Sequence, residues 1–108
     1  MAVLPTRIVM PATAKKGEII EIKTLIQHIM ETGFRRDDMG KVVPRDIIQT
    51  YAVTYNGEEI FKADLNPGVA ANPYFAFSTI AVATGDLVFT WTDQKGETTV
   101  QQRKLVVT

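Results

Sequence analysis

Cysteine is absent from the 108 residues of this chain, and histidine occurs once. Without cysteine the chain forms no disulfide bond, has no thiolate nucleophile and offers no sulfur ligand to zinc or to an iron–sulfur cluster. An excess of charge is absent too, because 12 basic residues balance 12 acidic residues. Surfaces that bind nucleic acid are normally basic, so we expect no nucleic-acid partner.

Long hydrophobic runs are also missing. The longest stretch without charge covers residues 65–85, and Asn66-Pro67-Gly68 and Asn72-Pro73 interrupt it, so it does not resemble a membrane-spanning helix. Residues 1–11 lack the basic and apolar regions of a secretory signal. We therefore expect no membrane partner and no export signal in this chain.

Alternation of apolar and polar residues is the main pattern that is present. Ile20, Ile22, Thr24 and Ile26 share one face of an extended segment, and Asn56-Gly57 is typical of a tight hairpin turn. Seven strands are predicted, at residues 6–10, 18–28, 47–55, 58–65, 74–82, 86–92 and 97–107. This number of strands in one domain, residues 1–108, favours an all-β, two-sheet sandwich like those of immunoglobulin and fibronectin type III domains.

One predicted strand has apolar residues on both faces. In residues 74–82, Phe75 and Phe77 point to one side, whereas Tyr74, Ile80 and Val82 point to the other. A sandwich strand needs only one apolar face for its own core, so the second face predicts a further cover. That cover is either the loop at residues 67–73 or a protein partner.

Residues 29–46 form the one long irregular stretch, rich in glycine, aspartate and arginine. Connections of this length are usually functional or mobile. We take it as a candidate docking loop, with Arg35 and Arg36 as its candidate contact residues.

Few residues suggest chemistry. His28 and Met30 would point the same way on an extended chain and so suggest a copper site completed by Glu31, Asp37, Asp38 or Met39. A strand end at His28 and a core position for Met30 explain the same residues more simply. No nucleophile–base motif is present, so we expect no catalytic residue, no cofactor and no metal.

An ordered series of short segments runs along nearly the whole chain. It comprises TAKKGE at 13–18, EIKTLI at 21–26, METG at 30–33, YNGE at 55–58, ADL at 63–65 and ANPY at 71–74, with His28, Arg35, Gly40 and Pro44-Arg45. This series resembles the SoxZ family, whose members are subunits of the SoxYZ sulfur-carrier complex of bacterial thiosulfate oxidation.

The resemblance implies a β-sandwich that is not an enzyme and that binds SoxY, whose carboxy-terminal cysteine carries the sulfur intermediates. It also implies a periplasmic heterodimer, exported on the signal of SoxY, that meets the other Sox enzymes transiently. Two other functions stay open from the residues alone. One is a small ligand-binding sandwich with Tyr51, Tyr55, Tyr74 and Trp91 as its aromatic platform, although Trp91 shares a strand face with Leu87 and Phe89 and so fits the core better. The other is a copper-binding sandwich that uses His28 and Met30.

Overall fold

The computed structural model describes residues 4–108. Residues 1–3 lie outside the described residues. They belong both to the predicted domain and to the segment 1–11, which we interpret as lacking a secretory signal. No helix within residues 4–108 is long and apolar enough to cross a membrane.

All regular secondary structure within residues 4–108 is β-strand. They are β1 (Thr6–Val9), β2 (Thr13–Ala14), β3 (Ile19–Ile26), β4 (Ile48–Tyr55), β5 (Glu58–Asp64), β6 (Tyr74–Ile80), β7 (Gly85–Asp93) and β8 (Thr98–Val107). The seven predicted strands are all present, and the all-β prediction is confirmed. Sequence reasoning missed only β2, because two residues are too few to show alternation.

The strands form two sheets. One sheet has the order β1-β3-β6, and the other has the order β2-β8-β7-β4-β5. Every neighbouring pair is antiparallel except β2 and β8. The turn between β4 and β5 matches the prediction, since Asn56 and Gly57 have φ angles of 50° and 81°, the positive values that a type I′ turn requires.

The core lies between the two sheets. From the three-stranded sheet, Ile20, Ile22 and Ile26 point inward, as the alternation predicts. From the five-stranded sheet, Tyr51 stacks on Trp91 with ring centroids 4.8 Å apart. The remaining large buried side chains of this sheet are those of Ile48, Val53, Tyr55, Leu87, Phe89 and Leu105.

The molecule is elongated. Its principal extents are 59 × 23 × 19 Å and its radius of gyration is 16.2 Å. A compact domain of this length has a radius of gyration of about 13 Å. An elongated sandwich presents more sheet surface and more sheet edge to partners than a compact one does.

Candidate functional site

The outer surface of the three-stranded sheet, defined as its side facing away from the core, carries the candidate interface residues. Tyr74, Ile80 and Val82 are 56%, 53% and 57% exposed. The loop at residues 67–73 therefore does not cover them, and that alternative is wrong. A protein partner stays as the cover that the sequence predicted.

Neighbouring strands extend this apolar area. Across the ladder, Ile19 of β3 lies opposite Ile80 of β6, and Leu25 lies opposite Tyr74. Ile19 is exposed, so Ile19, Ile80 and Val82 form one apolar end of the outer surface. Leu25 and Tyr74 form the other end.

The middle of the outer surface is polar. Glu21 and Lys23 lie between the two apolar ends, with the Lys23 Nζ 3.4 Å from a Glu21 carboxylate oxygen. An exposed ion pair of this kind adds little stability, about 0–1 kcal/mol. Two apolar patches around a charged centre give a partner a defined register.

The position of Val82 is fixed by a side chain of the other sheet. The Tyr55 hydroxyl accepts hydrogen bonds from the backbone N–H of Val82 at 3.3 Å and of Ala83 at 3.1 Å. It also donates to the carbonyl oxygen of Ala83. Tyr55 therefore holds the chain just after β6, and the apolar side chain of Val82 stays on the surface.

The stretch at residues 29–46 contains no regular strand, as predicted, but within it residues 31–46 fold back on themselves as a hairpin. Its base is closed by two backbone hydrogen bonds between Glu31 and Asp46, of 2.8 and 2.9 Å. Farther out, the N–H of Val43 donates to the Arg35 carbonyl at 2.8 Å. Alternation did not reveal these pairs because only isolated bridges connect the two arms.

The tip of the hairpin is built by one aspartate and one glycine. A carboxylate oxygen of Asp37 accepts the N–H groups of Met39 at 2.9 Å and Lys41 at 3.0 Å. Gly40 has a φ of 77°, a conformation that side-chain-bearing residues rarely adopt. Asp37, a candidate metal ligand in the sequence, thus serves the turn.

The two candidate docking arginines both contact the hairpin itself. Arg35 binds a Glu31 carboxylate oxygen through two nitrogens, at 2.6 and 3.0 Å. This hydrogen bond lowers the pKa of Glu31 and raises the pKa of Arg35. Arg36 donates to the Gly40 carbonyl at 2.9 Å. Their contacts brace the hairpin, and both side chains remain accessible.

The most exposed apolar side chains of the hairpin are residues that sequence reasoning missed. Phe34 and Met39 are 83% and 84% exposed. Ile29, just before the hairpin, and Val42 within it are exposed as well. The sequence did contain a signal for these residues, because they are large apolar side chains among glycines and charged residues. A loop has no core of its own to bury such side chains, so they are expected on the surface.

Gln94 connects the hairpin base to the five-stranded sheet. Its side-chain oxygen accepts from Arg45 Nε at 3.0 Å and from the Ile47 N–H at 3.3 Å. Its side-chain nitrogen donates to the Arg45 carbonyl at 2.7 Å. These bonds fix the direction in which the hairpin leaves the sandwich.

The proposed copper pair does not form as the sequence suggested. Met30 has a φ of 52°, so the chain is not extended there. Its side chain is buried, and the Ile48 N–H donates to its sulfur at 3.3 Å. His28 Nδ1 accepts the Met30 N–H at 2.9 Å, and His28 Nε2 lies 3.5 Å from an Asp46 carboxylate oxygen. Within residues 4–108, no three His, Cys, Asp or Glu side chains gather as a metal site.

The aromatic ligand platform is also contradicted. Tyr51, Tyr55 and Trp91 are buried in the core, and only Tyr74 is exposed. Burial raises the pKa of the Tyr51 hydroxyl, which hydrogen-bonds the hydroxyl of Thr24 at 2.8 Å. The four rings therefore offer no shared surface to a ligand.

Comparison with known proteins gives both a family and a fold. The family model for the sulphur oxidation protein SoxZ matches residues 7–104. No curated protein sequence matches the chain.

Solved structures with the same fold include two kinds of protein. The superoxide reductase (neelaredoxin) of Ignicoccus hospitalis has a TM-score of 0.73 at 14% identity, over 95% of this chain and 80% of that one. The sulfur carrier protein SoxY of Chlorobium limicola f. thiosulfatophilum has a TM-score of 0.67 at 14% identity, over 95% of this chain and 78% of that one. At such identities the likeness establishes the two-sheet sandwich alone.

Proposed function

The chain belongs to the SoxZ family of sulphur oxidation proteins, and from that membership we propose that it is the non-catalytic companion of a SoxY sulfur carrier. The two subunits form a periplasmic heterodimer. The SoxY cysteine carries the sulfur intermediates, and this chain presents the carrier to the other Sox enzymes.

The exposed apolar outer surface is the observation that carries the proposal. Ile19 and Ile80 lie opposite each other on adjacent strands, Val82 follows β6 two residues later, and all three are more than half exposed. Apolar patches of this kind on a folded protein mark sites of protein association. The heterodimer buries this patch against SoxY.

The composition of the chain supports separate roles for the two subunits, with the sulfur carried by SoxY and not by this chain. It has no cysteine, so it holds no covalent sulfur itself. A rigid sandwich keeps the carrier subunit in place while the cysteine of the partner stays mobile. Chemistry on the sulfur is left to the enzymes that visit the complex.

The hairpin at residues 31–46 is the proposed docking element for those enzymes. Phe34 and Met39 are highly exposed, and Arg36, which lies between them in the sequence, is exposed too. A small apolar contact surrounded by charges of both signs suits brief binding, with a rate that depends on ionic strength. This assignment keeps Arg35 and Arg36 as proposed docking residues and adds the apolar pair.

Reconstitution of the sulfur-oxidising system tests the proposal. The chain should elute with purified SoxY as a one-to-one complex, and thiosulfate oxidation should require both subunits and the Sox enzymes. In cells, the chain should reach the periplasm only when SoxY carries its signal. Thiosulfate oxidation by the isolated chain, or separate elution of the two subunits, would contradict the proposed function.

A further inference from the structure

The far edge of β6 is an unprotected sheet edge. β6 is the end strand of the three-stranded sheet, and no other strand within residues 4–108 pairs with its far side. Its sequence, YFAFSTI, contains no charged residue, no proline and no glycine. A long, flat, uncharged edge normally leads to aggregation unless something covers it.

The other open edges carry ordinary protection. β1 has four residues, with Pro5 before it and Pro11 after it. β5 carries four charged side chains, and β2 has only two residues. The part of β8 that β2 leaves unpaired carries Arg103 and Lys104. Short length, proline and charge are the usual means of blocking strand addition, and β6 has none of them.

The hydrogen-bond pattern identifies the groups on the open edge. At one end the Ile26 N–H donates to the Pro73 carbonyl at 3.3 Å, and at the other end the Ala81 N–H donates to the Glu18 carbonyl at 2.8 Å. The register between β3 and β6 has no shift, so alternate residues of β6 bond to β3. The residues whose N–H and C=O groups point to the open edge are therefore Tyr74, Ala76, Ser78 and Ile80.

A groove lies beside the last part of this edge, from Ser78 onward. It has a volume of about 460 Å³ and lies between Ser78, Ile80 and Val82 on one side and Glu58 and Ile60 on the other. An added strand can pair with the β6 backbone and place alternate side chains in the groove.

We infer that an extended strand of the partner subunit pairs with the open edge of β6 and continues the three-stranded sheet. This inference rests on the proposed function and adds to it the mode of binding. Free main-chain donors and acceptors at every second residue are satisfied by another extended backbone. Because the carboxylate of Glu58 lies at the groove, the incoming strand should carry a basic residue. Residues 65–85, which include β6, contain no basic residue, so the same edge of a second copy fits the groove less well than a strand of SoxY.

Amide hydrogen exchange, followed by NMR on the labelled chain with and without purified SoxY, tests the inference. In the free chain the amides of Phe75, Phe77 and Thr79 are already protected by β3. Adding SoxY should slow exchange at least tenfold at the four open-edge amides, those of Tyr74, Ala76, Ser78 and Ile80. If SoxY contacts only the side chains of β6, the slowing of exchange should not be confined to these alternate amides.

Two variants at one position separate backbone pairing from side-chain contact. Ala76→Pro removes an N–H that points to the open edge, so the ladder with β3 keeps its bonds, and SoxY binding should weaken about tenfold or more. Ala76→Ser keeps the N–H and should bind within about twofold of the wild type. Circular dichroism confirms that both variants are folded. Equal affinity of Ala76→Pro and Ala76→Ser would overturn the inference.

The outcomes separate this inference from the proposed function. If a complex forms but the four open-edge amides exchange as fast as in the free chain, the inference is overturned and the proposed function stands. If no complex forms, both the inference and the proposed function are overturned. Protection that rises with concentration in the chain alone would assign the edge to a second copy and overturn the inference too.

Discussion

At the scale of single residues, the hydroxyl pair of Thr24 and Tyr51 joins the two sheets inside the core. Both side chains are buried, and their oxygens lie 2.8 Å apart. Burial raises the pKa of Tyr51 above its ordinary value of 10.0. The folded state therefore holds the Tyr51 proton more tightly than the unfolded state does.

This shift predicts a loss of stability at alkaline pH. The contribution of Tyr51 is fully present below pH 10 and is lost as the pH rises above 10, by at most about 1.4 kcal/mol per pH unit. Tyr51→Phe should destabilise the protein by roughly 1–3 kcal/mol at pH 7, because the buried Thr24 hydroxyl then keeps only its long hydrogen bond to the Phe75 carbonyl, at 3.5 Å. It should then lose less stability than the wild type above pH 10.

Urea unfolding between pH 7 and pH 11 measures both effects. Tyr74→Phe, which removes an exposed phenol hydroxyl, is the matched control. If the stability of Tyr51→Phe stays parallel to that of the wild type above pH 10, the buried hydroxyl does not have the assigned role.

The sequence predicted the burial of most core residues correctly, including the preferred core position of Met30, but not the backbone conformation of Met30. Alternation places Ile20, Ile22 and Ile26 inside because a strand side chain has only two directions to take. Met30 follows the end of a strand and has a φ of 52°. No pattern in the sequence distinguishes that conformation from the extended one, so the proposed pairing of His28 with Met30 was wrong.

At the scale of elements, the hairpin at residues 31–46 gives a prediction about docking. A double change of Arg35 and Arg36 to Ala should slow sulfur turnover in the reconstituted system on the order of threefold at low ionic strength, and the effect should shrink as salt screens exposed charges. SoxY affinity should change by less than about 0.5 kcal/mol, because the hairpin lies outside the proposed heterodimer contact.

A control is needed because the double change also removes two positive charges from the molecule as a whole. The adjacent exposed basic pair Arg103 and Lys104, changed to Ala in the same way, removes equal charge from the five-stranded sheet. That variant should leave turnover unchanged at every salt concentration. Equal effects of the two double variants would show that the hairpin has no special part in docking.

Strands were easier to predict than the hairpin for a physical reason. A half-buried strand repeats its pattern every second residue, so β3 through β8 are visible in the sequence. The hairpin is held instead by single contacts, such as the amides that Asp37 accepts and the bonds that Gln94 makes. Some of these contacts join residues far apart in the chain, and others depend on a single side chain. Neither kind of contact produces a repeating pattern in the sequence.

At the scale of the whole molecule, one fold serves proteins with different functions. The chain shares its two-sheet sandwich with a superoxide reductase and with a SoxY carrier, each at 14% identity. The residues, and not the fold, therefore decide what this chain does.

A metal analysis tests that conclusion. We expect the purified chain to hold no stoichiometric copper after dialysis, because the sulfur of Met30 is buried and His28 Nδ1 accepts a backbone N–H. Elemental analysis is the measurement, and His28→Ala is the control. About one copper per chain that is lost in His28→Ala would contradict the account.

SoxY is proposed to bind the outer surface of the three-stranded sheet. The most direct test compares two substitutions on opposite faces of the molecule, Ile80→Asp and Val100→Asp. Ile80 and Val100 are 53% and 50% exposed, and both are apolar strand residues, but Val100 lies on the outside of the five-stranded sheet.

Titration calorimetry of each folded variant with SoxY is the measurement. Burying a charge at the contact should cost Ile80→Asp more than about 2 kcal/mol of binding free energy, whereas Val100→Asp should bind as the wild type does. Unchanged affinity of Ile80→Asp would show that SoxY does not bury this side chain, and weakened binding of Val100→Asp would place SoxY on the opposite face.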